Sequence, residues 1–378
     1  MRIGILTLPL HVNYGGILQA YALQTVLERM GHEVEVIATP LVKLKISWKR
    51  KILAYPKRIL LKYLFQRKEV SVFYEKHINE SNMLVQQNTQ KFIQRYIHRH
   101  QVSSLLALKE QDFDAIVVGS DQVWRKVYFT NSNEPLKNAF LQFAQRWKIR
   151  RVAYAPSFGT DDWEYSLQDT NVCAALIKYF DALSVREKSA VKLCSQYLGV
   201  DACHVLDPTM LLDARDYTEL VESNHTPHSK GNMHCYILDR TPETNKLIDY
   251  IASEHHLITF FVGADTYNLE VSELERIQPP VERWLQAFRE AEYIVTDSFH
   301  ACVFSILYRK PFVVYGNKER GMARFHSLLS LFGLEDRLVT NIDDYKSLCD
   351  IDYDVVYEKL NNMRKISFDF LAKALGYE

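Results

Sequence analysis

Residues 3–37 read IGILTLPLHVNYGGILQAYALQTVLERMGHEVEVI, and their pattern decides the fold. Ile3 to Leu6 is a short apolar run of the kind that forms a buried strand. The turn His11-Val12-Asn13-Tyr14-Gly15-Gly16 follows it. Leu18, Ala20, Leu23, Val26, Leu27 and Met30 then recur at helical spacing, and Gly31 stands where a helix-ending glycine belongs. Glu33 to Ile37 reads as the next strand. Strand, glycine turn, helix and strand make a βαβ unit, and such a unit requires a parallel sheet.

The same sheet resumes further on. Asp114 to Val118, Arg151 to Tyr154, Ala182 to Val185 and His204 to Leu206 read as strands. They end in Gly119-Ser120-Asp121, Ala155-Pro156-Ser157-Phe158-Gly159, Arg186-Glu187 and Asp207-Pro208-Thr209. Ligands of open α/β sheets bind outside the carboxyl ends of strands, so this edge is a candidate site. Residues 213–232 are polar and turn-rich, and a second α/β pattern follows. Cys235 to Leu238, Leu257 to Val262, Tyr293 to Thr296 and Phe312 to Tyr315 read as strands. Glu243 to Glu254, Val281 to Ala291, Ala301 to Tyr308 and Tyr353 to Leu375 read as helices. A length of 378 residues fits two such units. The expected division is 1–212, with a helical insertion near 43–110, and 213–378. The reading is a two-lobed α/β enzyme with its chemistry in the cleft.

Composition excludes several classes. Lys and Arg total 46, and so do Asp and Glu, which speaks against a nucleic-acid binder held by phosphates. None of the six cysteines forms a CxxC pair, so a structural zinc site is not expected. They are too sparse for a disulfide framework, and reduced thiols in a cytoplasmic protein are the expectation. The N-terminal apolar run is too short for a secretory signal, and no run of about 18 apolar residues is present to span a membrane.

Residues 43–68 differ from the rest. They carry ten basic residues and no acidic one, interleaved with Leu44, Ile46, Trp48, Ile52, Leu53, Ile59, Leu60, Leu64 and Phe65. The pattern predicts two short amphipathic helices broken near Pro56, with residues 69–110 helical and polar beyond them. A basic amphipathic segment of this kind suits peripheral contact with the inner face of a membrane, and suits equally a solvated helical face.

Several segments carry candidate chemistry. Asn13 to Gly16 could turn backbone N–H groups toward an anion, or be a tight turn that needs glycine. Gln19, one turn on, faces cleft or solvent. Gly119, Ser120, Asp121 and Trp124 offer a close backbone approach, a hydroxyl, a carboxylate and an aromatic plate. The alternative is a capped helix start with Trp124 as core. Arg186 could hold a carboxylate or phosphate bidentately, or pair with a neighbouring acid. Thr296-Asp297-Ser298-Phe299-His300 is the sharpest signal. There Asp297 or Ser298 would cap a helix, and His300 in its first turn is a residue type suited to proton transfer or to donating to a phosphate.

These segments together resemble the polysaccharide pyruvyl transferase family. NYGGILQ at 13–19, GSDQVW at 119–124, YAPSFG at 154–159, SVRE at 184–187, LDPTMLL at 206–212 and TDSFH at 296–300 are similar to its blocks, in its order. The resemblance implies a fold like the GT-B glycosyltransferases, with two Rossmann-like domains facing across a cleft. It implies transfer of pyruvyl from phosphoenolpyruvate, as co-substrate, to a sugar acceptor as a ketal, with phosphate released and no other cofactor or metal. The acceptor would be lipid-linked, nucleotide-linked or polymeric. By that resemblance Arg186 binds the donor and His300 serves as acid, base or phosphate donor. The amides after Ser298, with Asp297 and Phe299 beside them, form a phosphate cradle. Asn13, Tyr14, Gly15, Gly16, Gln19, Gly119, Ser120, Asp121, Trp124, Ser157 and Phe158 shape the substrate side. Many members carry an arginine where this chain has Ser298, so a cation is expected from Arg320 or Arg324. The rival readings are a glycosyltransferase using a nucleotide sugar, and a sugar-binding protein without catalysis.

Overall fold

Among the described residues, seven parallel strands build the first lobe: β1 (Arg2–Leu6), β2 (Glu33–Ala38), β3 (Arg99–Gln101), β4 (Ala115–Val118), β5 (Arg150–Ala153), β6 (Ala182–Val185) and β7 (Cys203–His204). Their order is β3-β2-β1-β4-β5-β6-β7. Five more build the second lobe: β8 (Met233–Tyr236), β9 (Thr259–Phe260), β10 (Tyr293–Thr296), β11 (Phe312–Tyr315) and β12 (Leu338–Val339). These too are all parallel, in the order β12-β11-β10-β8-β9. The computed structural model describes residues 1–41, 43, 47–65, 71–266, 268, 270–316 and 322–376, apart from the side chain of Lys49.

The strands are short apolar runs because helices cover both faces of a parallel sheet. Ile3, Ile5, Ile116 and Val118 have no solvent contact, and neither do Ile294 and Val313 in the second sheet. Helix α1 (Tyr14–Arg29) packs on the first sheet through Ile17, Leu18, Leu23 and Leu27. Gly31, at φ +87°, ends it as the sequence predicts. The chain reverses its winding between β1 and β4 in the first sheet, and between β8 and β10 in the second. Strand ends diverge at such points and leave a crevice.

The last helix, Tyr353–Leu375, does not stay with the second lobe. Ser367 Oγ accepts from Leu206 N at 3.0 Å, Arg364 Nε donates to Met210 O at 2.7 Å, and Ala374 O accepts from Arg150 at 3.0 Å. Tyr14 links the lobes from the other side. It stacks on Trp284 at 5.3 Å and donates its hydroxyl to Pro279 O at 2.8 Å.

Two local expectations are corrected. The stretch 69–110 is not all helix. α3 (Tyr74–Val85) and α4 (Gln87–Tyr96) are followed by the edge strand β3, whose three polar residues give no alternation to read. Nor does Pro56 break its helix. α2 (Trp48–Ile59) runs through it and continues as a wider turn to Leu64. An exposed proline near a helix end forfeits one hydrogen bond, and the rest of the turn holds. No helix among the described residues is long and apolar enough to cross a membrane.

Candidate active site

Two helices point their N-termini at each other across the cleft. From the first lobe comes α1, with Asn13 as N-cap accepting from Gly16 N at 3.3 Å. From the second comes the helix Phe299–Leu307. Their positive dipole ends converge, which favours negative charge between them. The approach is close. A Cβ added to Gly15 would lie 2.0 Å from His300 Nδ1 and 2.3 Å from its Cγ, so only glycine lets the imidazole lie there. Gly16 is roomier, its added Cβ meeting Asp121 Oδ2 at 3.6 Å.

Arg186, at the end of β6, lies beneath His300 and is buried among three carboxylates. Its Nη1 donates to Asp207 at 2.6 Å, its Nε to Glu187 at 3.2 Å, and Nη2 lies 3.7 Å from Asp121. Its guanidinium also covers the ring of Phe299 at 4.4 Å. Burial works against its charge. Glu187, Asp207 and Asp121 outweigh that and hold it above the ordinary arginine range.

Asp207 is the hub. One oxygen accepts from Thr209 N at 3.0 Å and Thr209 Oγ1 at 2.6 Å. The other takes Arg186 and Ser120 Oγ at 3.3 Å, and lies 3.7 Å from His300 Nε2. Burial alone would raise its carboxyl. Its interactions with His300, Arg186 and Thr209 hold it well below the usual carboxylate range. Asp207 was not among the residues singled out from the sequence, and neither was Glu187. Asp207 has the signal that flagged the others, because it follows a short strand and opens Asp-Pro-Thr. Glu187 was legible only as the neighbour of Arg186.

Three buried nitrogens here have no hydrogen-bond partner: Arg186 Nη2, His300 Nε2 and Arg324 Nε. All three side chains surround Phe299. Arg324 lies 5.8 Å from its ring and His300 5.2 Å. Burial and the nearby Arg186 press the charge of Arg324 down from its ordinary range. Arg320 lies outside the described residues.

Other candidates have structural places. Trp124 is corrected to core: it is fully buried, stacked on Phe140 at 5.0 Å, and bonded through Nε1 to Ala139 O. Phe158 packs on Trp124 and Trp163, also away from the cleft. Ser157 is fully buried, bonded through N to Asp121 O and through Oγ to Gly159 N. Tyr14 is the plug between the lobes. Gln19 faces neither cleft nor solvent. It is buried, donates to Thr7 and Gly16, and accepts from Ser120 N at 3.0 Å, so it sets the floor under Asp121. Gly119, at φ +135°, passes so close to Tyr154 O that a Cβ would lie 1.9 Å away. The helix Phe299–Leu307 is not capped by a side chain. Ser298 stands at the N-cap with no such bond, and Asp297 instead accepts from Leu238 N and Asp239 N, tying down the loop after β8. Among the described residues, no three His, Cys, Asp or Glu side chains are arranged to hold a metal ion.

The arrangement can bind an anion and pass it a proton. Convergent helix ends and unpartnered N–H donors supply the first, and an imidazole backed by Asp207 the second. The profile of the family described as polysaccharide pyruvyl transferase matches residues 13–319. No curated protein sequence matches significantly. Among solved structures, the chain is similar to UDP-GlcNAc 2-epimerase from Neisseria meningitidis bound to UDP-GlcNAc, at 10% identity and TM-score 0.49 over 99% of this chain and 100% of that one. It is similar to UDP-GlcNAc 2-epimerase from Methanocaldococcus jannaschii at 14% identity and TM-score 0.45, over 96% and 93%. A glycosyltransferase from Rickettsia africae gives 9% identity and TM-score 0.46, over 100% and 99%.

Proposed function

The chain belongs to the polysaccharide pyruvyl transferase family, and from that premise we propose that it moves the pyruvyl group of phosphoenolpyruvate onto a sugar of a surface polysaccharide or its precursor, as a ketal, releasing phosphate. The observation that carries this reading is the set of three buried nitrogens of Arg186, His300 and Arg324 around Phe299, none of which makes a hydrogen bond. Unpaired buried donors are costly, and a small polyanion would satisfy them.

The chemistry assigns the roles. A proton passes from His300 to the methylene carbon of the donor, which makes C2 electrophilic. One sugar hydroxyl adds to C2. A second hydroxyl displaces phosphate, and C2 keeps both sugar oxygens. Of the two hydroxyl protons, one restores the imidazole and the other leaves with phosphate. Asp207 stabilises the imidazolium from behind. Arg186 is already neutralised by its own carboxylates, so a trianionic donor also needs Arg324 and the first amides of the helix Phe299–Leu307, which have no carbonyl one turn before them. Arg324 is the cation in place of the arginine absent at Ser298. Asn13, Gly16 and Asp121, on the opposite wall, face the acceptor.

Calorimetry tests the donor. The native chain is expected to bind phosphoenolpyruvate. Arg186→Ala is expected to weaken it by about tenfold to a hundredfold, the worth of a charge-assisted hydrogen bond. His300→Ala is expected to weaken it less. A native chain that binds a nucleotide sugar from a parallel panel, and not phosphoenolpyruvate, would mean a glycosyl transfer instead.

Gly15 gives a second test. Gly15→Ala must displace the His300 ring, and a displacement of about 1 Å is expected to lower turnover roughly a hundredfold. Gly16→Ala, whose added carbon makes an ordinary contact, is expected to stay within about tenfold of native, because no reacting group has to move. Equal losses in the two would count against His300 as the reacting group.

A further inference from the structure

The helix α2 has an exposed outer face. Its inner side, Ala54, Tyr55 and Arg58, is half-buried on the start of α3. Arg58 makes a bidentate pair with Glu75, both contacts at 2.9 Å, and Tyr55 meets Phe73 edge-on at 5.3 Å. The outer side is apolar. Trp48, Ile52 and Ile59, spaced by four and seven, share one stripe, and Leu53 and Leu60 lie beside it. Trp48 is 68% exposed and Leu53 76%, and Leu64 beyond them is 69% exposed. Isolated exposed apolar residues are ordinary, but a contiguous stripe of this kind marks a surface made to be covered.

Charge selects what covers it. Arg50 and Lys57, seven apart, border the stripe on one edge, and Lys51 borders it on the other; all three are exposed. No acidic residue occurs between 43 and 68. An apolar stripe between two cationic edges is the pattern of a helix lying in a bilayer interface, with chains buried and ammonium groups at the lipid phosphates. A second copy of the chain fits poorly, because a two-fold contact would set the cationic edges against each other.

We propose that α2 docks this protein on an anionic lipid bilayer, with Trp48, Ile52, Leu53, Ile59 and Leu60 in the headgroup boundary. The position of α2 gives the docking a use. The excursion leaves the first sheet at the carboxyl end of β2, the edge that carries the cleft. Its base touches the second lobe, where Val85 O accepts from Gln278 N at 2.9 Å and Asn88 donates to Gln278 O at 3.0 Å. A docked α2 therefore tethers the first lobe, whose strand ends line the cleft, to the lipid surface.

The test is co-sedimentation of the full chain with vesicles of phosphatidylcholine alone, and of phosphatidylcholine mixed with phosphatidylglycerol. Binding is expected only to the anionic vesicles, and it should weaken as salt rises. A charge-reversed variant, Arg50→Glu with Lys51→Glu and Lys57→Glu, is expected to lose at least about tenfold in partitioning. So is an apolar variant, Ile52→Ser with Leu53→Ser and Leu60→Ser. Trp48 should shift its emission to the blue on anionic vesicles, a change that Trp48→Phe removes. Phosphoenolpyruvate affinity, measured on both variants, reports that they remain folded and keeps this result separate from the donor reading. Unchanged partitioning of the charge-reversed chain would overturn the proposal. So would absence of vesicle binding, or a dimer in the ultracentrifuge that the apolar variant abolishes.

Discussion

Asp207→Ala is expected to lower stability by about 3–5 kcal/mol, the cost of leaving a buried charge without its partner. Glu187 and Asp121 remain beside Arg186, but neither makes so short a contact with it. Arg186 is buried beside it, and its 2.6 Å contact to Asp207 is the shortest it makes. Asp207→Asn keeps the shape and loses the charge, and should fall between. The effect has a pH signature. The carboxyl of Asp207 is held below its unfolded value, so its contribution is present above about pH 4 and is lost as pH falls further. Denaturant midpoints of native and Asp207→Asn chains should therefore converge below that pH. A native-like midpoint for Asp207→Ala at neutral pH would remove Asp207 from the centre of the site.

His300→Ala is expected to slow pyruvyl transfer by about 10²- to 10⁴-fold, the usual worth of a positioned general acid. Donor affinity should change by less than about tenfold, because Arg186, Arg324 and the helix amides still bind the anion. The loss should thus appear in kcat more than in KM. Transfer run in heavy water offers an independent readout. The native product should carry one deuterium in its new methyl group, and the residual product of the variant should form at a rate that does not depend on the imidazole's ionisation. A variant with native kcat and weakened KM would make His300 a binding group only.

Much of this was legible in the sequence. The βαβ start, the parallel sheets and the placing of chemistry at strand ends follow from short apolar runs that stop at glycine or polar residues. Arg186 and His300, read separately at positions 114 residues apart, meet in the structure because both sheets turn their carboxyl edges to one cleft. Trp124 and Phe158 show where the reading fails. An aromatic ring just past a strand end looks the same in sequence whether it faces ligand or core. Here Phe140 and Tyr165 settle the matter; Phe140 ends a five-residue 3₁₀ helix and Tyr165 stands in irregular structure, and neither carries a readable periodicity. Asp207 was passed over for the opposite reason. Its one local signal is the strand-end position it shares with many residues, and its importance comes from Arg186 and Ser120 arriving from separate segments. β3 and the path of the last helix likewise depend on contacts distant in sequence.

The return of the helix Tyr353–Leu375 to the first lobe bears on the order in which the protein is completed. Leu206 N, Met210 O and the end of β5 find their partners only in a helix made after both sheets. The half of the chain made first therefore waits, with part of its surface uncovered, until the half made second has been threaded and handed back. Asp207 stands one residue beyond Leu206, so the helix Tyr353–Leu375 clamps the peptide that carries it. Assembly of the cleft in this sense waits for synthesis of both lobes, and a chain without this helix would be missing a brace at the site.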